Sequence, residues 1–166
     1  MFPKETDVIR ADSLSEAADL LGEHGPAAQV LAGGQSLVPM MKFRLSAPPT
    51  LIDISAIPSP GISLEGDHVV LPALTTHAEA IDHDELTDRF DLVDDAIPQI
   101  ADPQVRNMGT VGGSLGQADP SGDWGPVCLA LSATIHTITP DGGRELDASD
   151  LFDGALSTSL ANDELI

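Results

Sequence analysis

Gln29-Val30-Leu31-Ala32-Gly33-Gly34-Gln35-Ser36-Leu37-Val38-Pro39-Met40-Met41 is the stretch that decides the fold. A short apolar run, read as a buried strand, enters a Gly-Gly pair and a helix start follows. Ser36 is placed to cap a short helix through Met40 and Met41. Upstream, Val8 and Ile9 begin another strand. Ser13-Leu14-Ser15-Glu16 reads as a capping box ahead of Leu14, Ala17, Ala18 and Leu21 at helical spacing, with Gly22 and Gly25 to end the turn. Downstream, Thr50-Leu51-Ile52-Asp53-Ile54 is a third strand. Strands alternating with short helices predict a small βαβαβ parallel layer, because parallel neighbours need a crossover between them.

The pattern changes near Pro58-Ser59-Pro60-Gly61, which divides the chain into residues 1–57 and 58–166. Beyond it, Glu65-Gly66-Asp67 and Asp141-Gly142-Gly143 each sit between apolar runs and predict hairpins. Thr76-His77-Ala78-Glu79 is a second capping box, opening a helix through Ile81. Further helices are expected over Phe90 to Ile100 and Pro126 to Leu131. Asp102 to Asn107 reads as a polar loop, and Gly109 to Gly125 as a Gly-rich stretch. The class is α+β: a parallel layer, then a mostly antiparallel sheet with helices.

Composition narrows the function. The 166 residues are 42% hydrophobic, enough for a core. Only 3% are aromatic, which argues against stacking platforms for single-stranded nucleic acid. Twenty-seven acids against seven basic residues give a net charge of −20, so nucleic acid and anionic membranes are repelled. The acids are dispersed, mostly Asp, and the only lysines are Lys4 and Lys42. That pattern suits concentrated salt, where self-repulsion is screened within ~3 Å near 1 M, and marks a halophilic surface. Cys128 is the single cysteine, so neither a disulfide nor an Fe–S cluster is held within the chain. The N-terminus lacks an apolar signal core and no run approaches 18 apolar residues, so a cytoplasmic protein without membrane insertion is expected.

Two glycine motifs carry the chemistry. Ala32-Gly33-Gly34-Gln35-Ser36 and Gly109-Thr110-Val111-Gly112-Gly113-Ser114 each offer backbone N–H groups and hydroxyls converging on one point, an anion nest. Gly112-Gly113-Ser114-Leu115-Gly116 also matches the nucleophile elbow of serine hydrolases, with Asp119, Asp123 and His136 following in order. No buried strand precedes it, so the hydrolase reading ranks below the cofactor reading. The histidines lack metal-ligand spacing, His77 simply lies near a helix start, and Cys128 reads as a core thiol. Asp102, Asp119 and Asp123 read as loop or cap residues, one of which is placed to meet a ligand hydroxyl.

Ala32 to Lys42, Leu51-Ile52-Asp53-Ile54, Thr75-Thr76-His77, Ile100 to Leu115, Asp119-Pro120 and Asp123 together resemble the FAD-binding subunit of molybdenum hydroxylases. That family includes the medium subunit of carbon monoxide dehydrogenase and the flavin domain of xanthine dehydrogenase. The resemblance implies a two-subdomain FAD-binding fold of the PCMH or vanillyl-alcohol-oxidase-like type. It implies that Ala32, Gly33, Gly34, Gln35 and Ser36, with Thr110, Val111, Gly112, Gly113 and Ser114, contact FAD around its pyrophosphate. Thr76 and Asp123 then lie near the flavin. It further implies an oxidoreductase subunit relaying electrons from Fe–S clusters through FAD, with a molybdopterin-binding large subunit and a 2Fe–2S small subunit as partners.

Gln35 and Ser114 stand where the family commonly has His and Asn. The family's further C-terminal domain is expected to be absent from this chain. A docking or assembly module without flavin is therefore the alternative reading, and a serine hydrolase using Ser114 the least favoured. On the nest argument, Gly33→Val or Gly112→Val is expected to abolish FAD binding while sparing secondary structure.

Overall fold

The computed structural model describes residues 2–166. β1 (Asp7–Arg10), α1 (Leu14–His24), β2 (Ala28–Leu31), α2 (Leu37–Lys42) and β3 (Thr50–Asp53) form the expected βαβαβ layer. The strand order is β1-β3-β2 and both pairings are parallel. β3 is central, and all four of its residues are buried. α1 buries Ala17, Ala18 and Leu21 in the core beneath this sheet. Ser13 accepts the Glu16 amide as expected, at 3.1 Å. The Glu16 carboxylate, however, accepts the amide of Asp12 at 2.7 Å, one residue before the capping-box partner. Gly25 ends the helix at φ 54°, where its amide donates to the carbonyl of Leu21. Ser36 precedes α2 but makes no side-chain cap.

β4 (Ser63–Glu65) and β5 (His68–Val70) then form the first hairpin. A run of short helices follows: α3 (His77–Ile81), α4 (Asp84–Thr87), α5 (Asp91–Ala96), α6 (Pro103–Arg106), α7 (Val111–Gln117) and α8 (Trp124–Ala130). The helix expected over Phe90 to Ile100 tightens after Ala96 into a 3₁₀ turn, Ile97–Gln99, that contains Pro98. The segment read as a polar loop is helix α6. Asp102 caps it by accepting the amides of Gln104 and Val105, and Pro103 needs no acceptor at the first position. The second glycine motif is likewise the first turn of α7, capped by Thr110.

β6 (Thr134–His136) and β7 (Glu145–Asp147) make the second hairpin. α9 (Ala148–Leu151), β8 (Phe152–Gly154) and β9 (Ser157–Thr158), which the sequence reading did not anticipate, complete the order. The α+β class holds; the antiparallel strands form three two-stranded ribbons rather than one sheet. A large core joins Leu86, Val93, Ile97, Val111, Leu115, Trp124, Val127, Cys128 and Leu151. Burying one such Leu or Ile contributes ~1.5–3 kcal/mol.

The core under the parallel layer is completed from far downstream. Leu165 packs with Ala11, Ala17, Ile52 and Ile54, and exchanges backbone hydrogen bonds with Ile138 at 2.8 and 2.9 Å. No described helix is long and apolar enough to cross a membrane.

Candidate functional site

The two glycine motifs, more than 70 residues apart in sequence, line one cleft of about 530 Å³. That lies within the ~300–1,000 Å³ typical of ligand pockets. They also touch directly. A Cβ added to Gly33 would fall on the carbonyl oxygen of Met108, just before the second motif. One added to Gly112 would meet the Ala73 Cβ at 2.5 Å and its carbonyl oxygen at 3.0 Å. Both glycines therefore serve backbone-on-backbone packing inside the protein. Gly34 is different: its φ is +69°, the left-handed region where side chains are strained.

The two motifs differ in what their amides do. In the second, the N–H groups of Val111, Gly112, Gly113 and Ser114 are already engaged. Val111 donates to the Thr75 carbonyl at 3.0 Å and Gly112 to that of Ala73 at 2.8 Å. Gly113 donates to Thr110 Oγ1 at 3.1 Å, and Ser114 to the Thr110 carbonyl at 3.0 Å. The anion nest expected here does not exist; the motif is a packed helix start that presents Gly113 and Ser114 to the cleft. In the first motif, the amides of Gly33, Gly34, Gln35 and Ser36 donate to no acceptor among the described residues. All four residues line the cleft. No lysine or arginine among the described residues does so, so amide dipoles are the main attraction for an anion there.

Ala32, Gly33, Gly34, Gln35, Ser36, Thr110, Gly112, Gly113, Ser114 and Asp123 all line the cleft. Thr76 and Val111 do not. Thr76 is the N-cap of α3 in a full capping box with Glu79, and the Val111 side chain is buried in the large core. Asp119 is folded back onto Ser121, whose amide and hydroxyl donate to its Oδ1 at 2.9 and 2.7 Å. Those bonds hold its carboxyl below the ordinary range.

His77 corrects the reading of a histidine merely near a helix start. It is buried and lines the cleft, and its Nδ1 accepts a hydrogen bond from Trp124 Nε1 at 3.0 Å. Burial pushes its pKa down; Asp123 opposes that and Arg106 reinforces it. Nothing local in the sequence marks this contact across 47 positions.

The C-terminal segment forms part of the cleft wall through Leu160, Glu164, Leu165 and Ile166. Glu164 is buried yet fully paired. Arg144 Nε donates to its Oε1 at 2.7 Å and Nη2 to its Oε2 at 2.9 Å, while Thr137 Oγ1 and the Ala161 amide donate as well. The Arg144 bonds, with Thr137 and Ala161, outweigh burial and hold the carboxyl down at about 2.

The hydrolase geometry is not assembled. Ser114 lies inside α7, and His136 sits exposed on β6 with Nδ1 3.6 Å from Glu145. The Cys128 thiol is buried and pushed up to about 11 by burial, as an inert core thiol should be. No cluster of metal-ligating side chains occurs among the described residues.

A cleft walled by four unengaged amides and by closely approaching glycines fits an elongated phosphate-bearing cofactor. The comparisons with known proteins agree. The family described as "FAD binding domain in molybdopterin dehydrogenase" matches residues 4–166. The chain is 39% identical over 167 residues to the carbon monoxide dehydrogenase medium chain of Hydrogenophaga pseudoflava, covering all of this chain and 58% of that one. It is 38% identical over 169 residues to the glyceraldehyde dehydrogenase medium chain of Sulfolobus acidocaldarius, covering all of this chain and 59% of that one. Among solved structures, carbon monoxide dehydrogenase from H. pseudoflava superposes with a TM-score of 0.96 at 40% identity, over 100% of this chain and 58% of its own. The chain thus spans little more than half the length of these relatives. It belongs to the family of FAD-binding domains of molybdopterin dehydrogenases.

Proposed function

We propose that the chain is the FAD-holding part of a molybdenum-dependent hydroxylase or dehydrogenase and that it relays electrons between partner subunits and a final acceptor. The relatives it resembles are named as medium chains of dehydrogenases, which supports an assembly with a molybdopterin-binding large subunit and a 2Fe–2S small subunit. The lone Cys128 supports the same division of labour, since cluster ligands have to come from elsewhere. We place this work in the cytoplasm, and divide the chain functionally at residues 57 and 58.

The observation that carries the reading is the row of unengaged amides at Gly33 to Ser36 facing a cleft without cationic side chains. These amides hold the pyrophosphate, and Gly34 at φ +69° aims them. Gly113 and Ser114 line the same cleft beside the first motif, and Asp123 offers its carboxylate to a hydroxyl or ring N–H. When bound, FAD supplies the redox chemistry; the chain binds it, orients it and excludes water.

The test is titration of the purified chain with FAD, followed by desalting and a visible spectrum. Retained flavin near one per chain is expected. A folded chain that retains none contradicts the reading and leaves the docking module.

A further inference from the structure

The only tryptophan and the only buried histidine of the described residues are joined. Trp124 Nε1 is solely a donor, so His77 Nδ1 must accept, and the neutral imidazole carries its proton on Nε2. Trp124 is itself buried in the main core on α8, and its ring plane is inclined by 27° to the imidazole, with 6.2 Å between centroids. The ring is also fixed from the other side. The His77 amide donates to the Gly109 carbonyl at 3.0 Å, and a Cβ at Gly109 would come within 2.8 Å of Nε2. Gly109 is thus glycine because the imidazole lies against it. Nε2 makes no hydrogen bond within the chain and is not among the sealed, unpartnered atoms, while His77 lines the cleft. A donor with a fixed tautomer, held rigidly at the wall of a cofactor cleft, lacks an acceptor inside the protein.

We propose that His77 Nε2–H is a fixed neutral hydrogen-bond donor to an acceptor atom of the bound flavin nucleotide, and that Trp124 is the positioning residue that sets its tautomer. The inference rests on the FAD reading above. Burial keeps the imidazole uncharged, with Asp123 and Arg106 the charged groups that act on it in opposite senses. Protonation at Nδ1 would set two donors face to face, so the Trp124 contact and the neutral ring require each other.

Two substitutions separate the donor from the structural contact. His77→Asn places an acceptor near the Nδ1 position, keeping the Trp124 bond, but removes the donor at Nε2. His77→Gln reaches the Nε2 position with an N–H but gives up the Trp124 acceptor. FAD affinity is expected to fall about five- to tenfold in His77→Asn, the loss of one hydrogen bond, and to stay within about twofold in His77→Gln. Trp124 emission of the flavin-free chain should move in His77→Gln and hold in His77→Asn. The reverse order of affinities would overturn the proposal and leave His77 a packing residue.

Histidine ring-nitrogen NMR on the unaltered chain needs no variant. The His77 Nε2-bound proton should shift and exchange more slowly when FAD is added, with Nδ1 unprotonated throughout. An unmoved Nε2 signal at FAD saturation would overturn the inference alone; a chain that takes up no FAD overturns the functional reading with it.

Discussion

Ala32 to Ser36 and Thr110 to Ser114 look alike in sequence and do opposite things. Each pairs two glycines with a hydroxyl residue at a helix start. In the first, four amides are unengaged and one glycine is left-handed. In the second, four amides are bonded to Ala73, Thr75 and Thr110, and neither glycine has positive φ. The first leaves its donors free, which is what the proposed pyrophosphate site requires. The second is built to let α7 pack against the 73–77 segment and bring a cleft wall close. A Gly-Gly pair alone therefore reports tight geometry, and only the fate of its N–H groups tells whether a ligand or the protein fills it.

The sharpest way to break this contrast is at Gly33 and Gly112. Because a Cβ at either meets backbone or a neighbouring Cβ, Gly33→Val and Gly112→Val should destabilise the fold itself, by about 3 kcal/mol or more. A drop in thermal midpoint of roughly 6–12 °C is the expected reading. This replaces the expectation that such variants lose only FAD. A native midpoint with lost FAD binding would restore the simpler nest argument for both motifs.

Gly34→Ala sharpens the comparison from the other side. Its Cβ would meet side-chain carbons of Leu31 and Val38 at 3.2 Å, and the left-handed φ costs about 1–2 kcal/mol. A modest fall in stability is expected together with a larger fall in FAD affinity, read by titration. Equal losses in both would make the amides of the first motif irrelevant to binding.

How much of this was legible in the sequence follows the range of the interactions. The βαβαβ layer, the Thr76 capping box and the hairpins at Gly66 and Gly142 were readable, because periodicity, caps and turns are local signals. Asp102-Pro103 was also a local helix-start signal, and reading it as loop gave polarity more weight than capping. Of the site, the two motifs and Asp123 were visible as residues. Their division of labour was not, since Gly112 answers to Ala73 and Gly33 to Met108. His77–Trp124 and Arg144–Glu164 join positions 47 and 20 apart, and no pattern along the chain announces either.

Acid probes the wall that neither motif supplies. Glu164 has its pKa held at about 2 against an ordinary 4.5, so its contribution is complete above 4.5 and is lost as pH falls toward 2. Unfolding free energy measured from pH 6 to pH 2 should therefore fall, with a shallower slope in Glu164→Gln. Leu165 completes the core beneath the first motif, so that half should loosen first; simultaneous loss of both halves would argue against this coupling. The smallest effect is expected from salt. With −20 on the chain, the thermal midpoint should rise from low to molar KCl as the Debye length falls to ~3 Å. A flat or falling curve would show that the acidity is no adaptation to salt.

Amide hydrogen exchange, residue by residue, with and without FAD, tests the contrast between the motifs most directly. Val111, Gly112, Gly113 and Ser114 should exchange slowly before any flavin is added, since their N–H groups are already bonded. Gly33, Gly34, Gln35 and Ser36 should exchange fast in the flavin-free chain and become protected on FAD binding. Protection appearing at Val111 to Ser114 while Gly33 to Ser36 stay unchanged would contradict it.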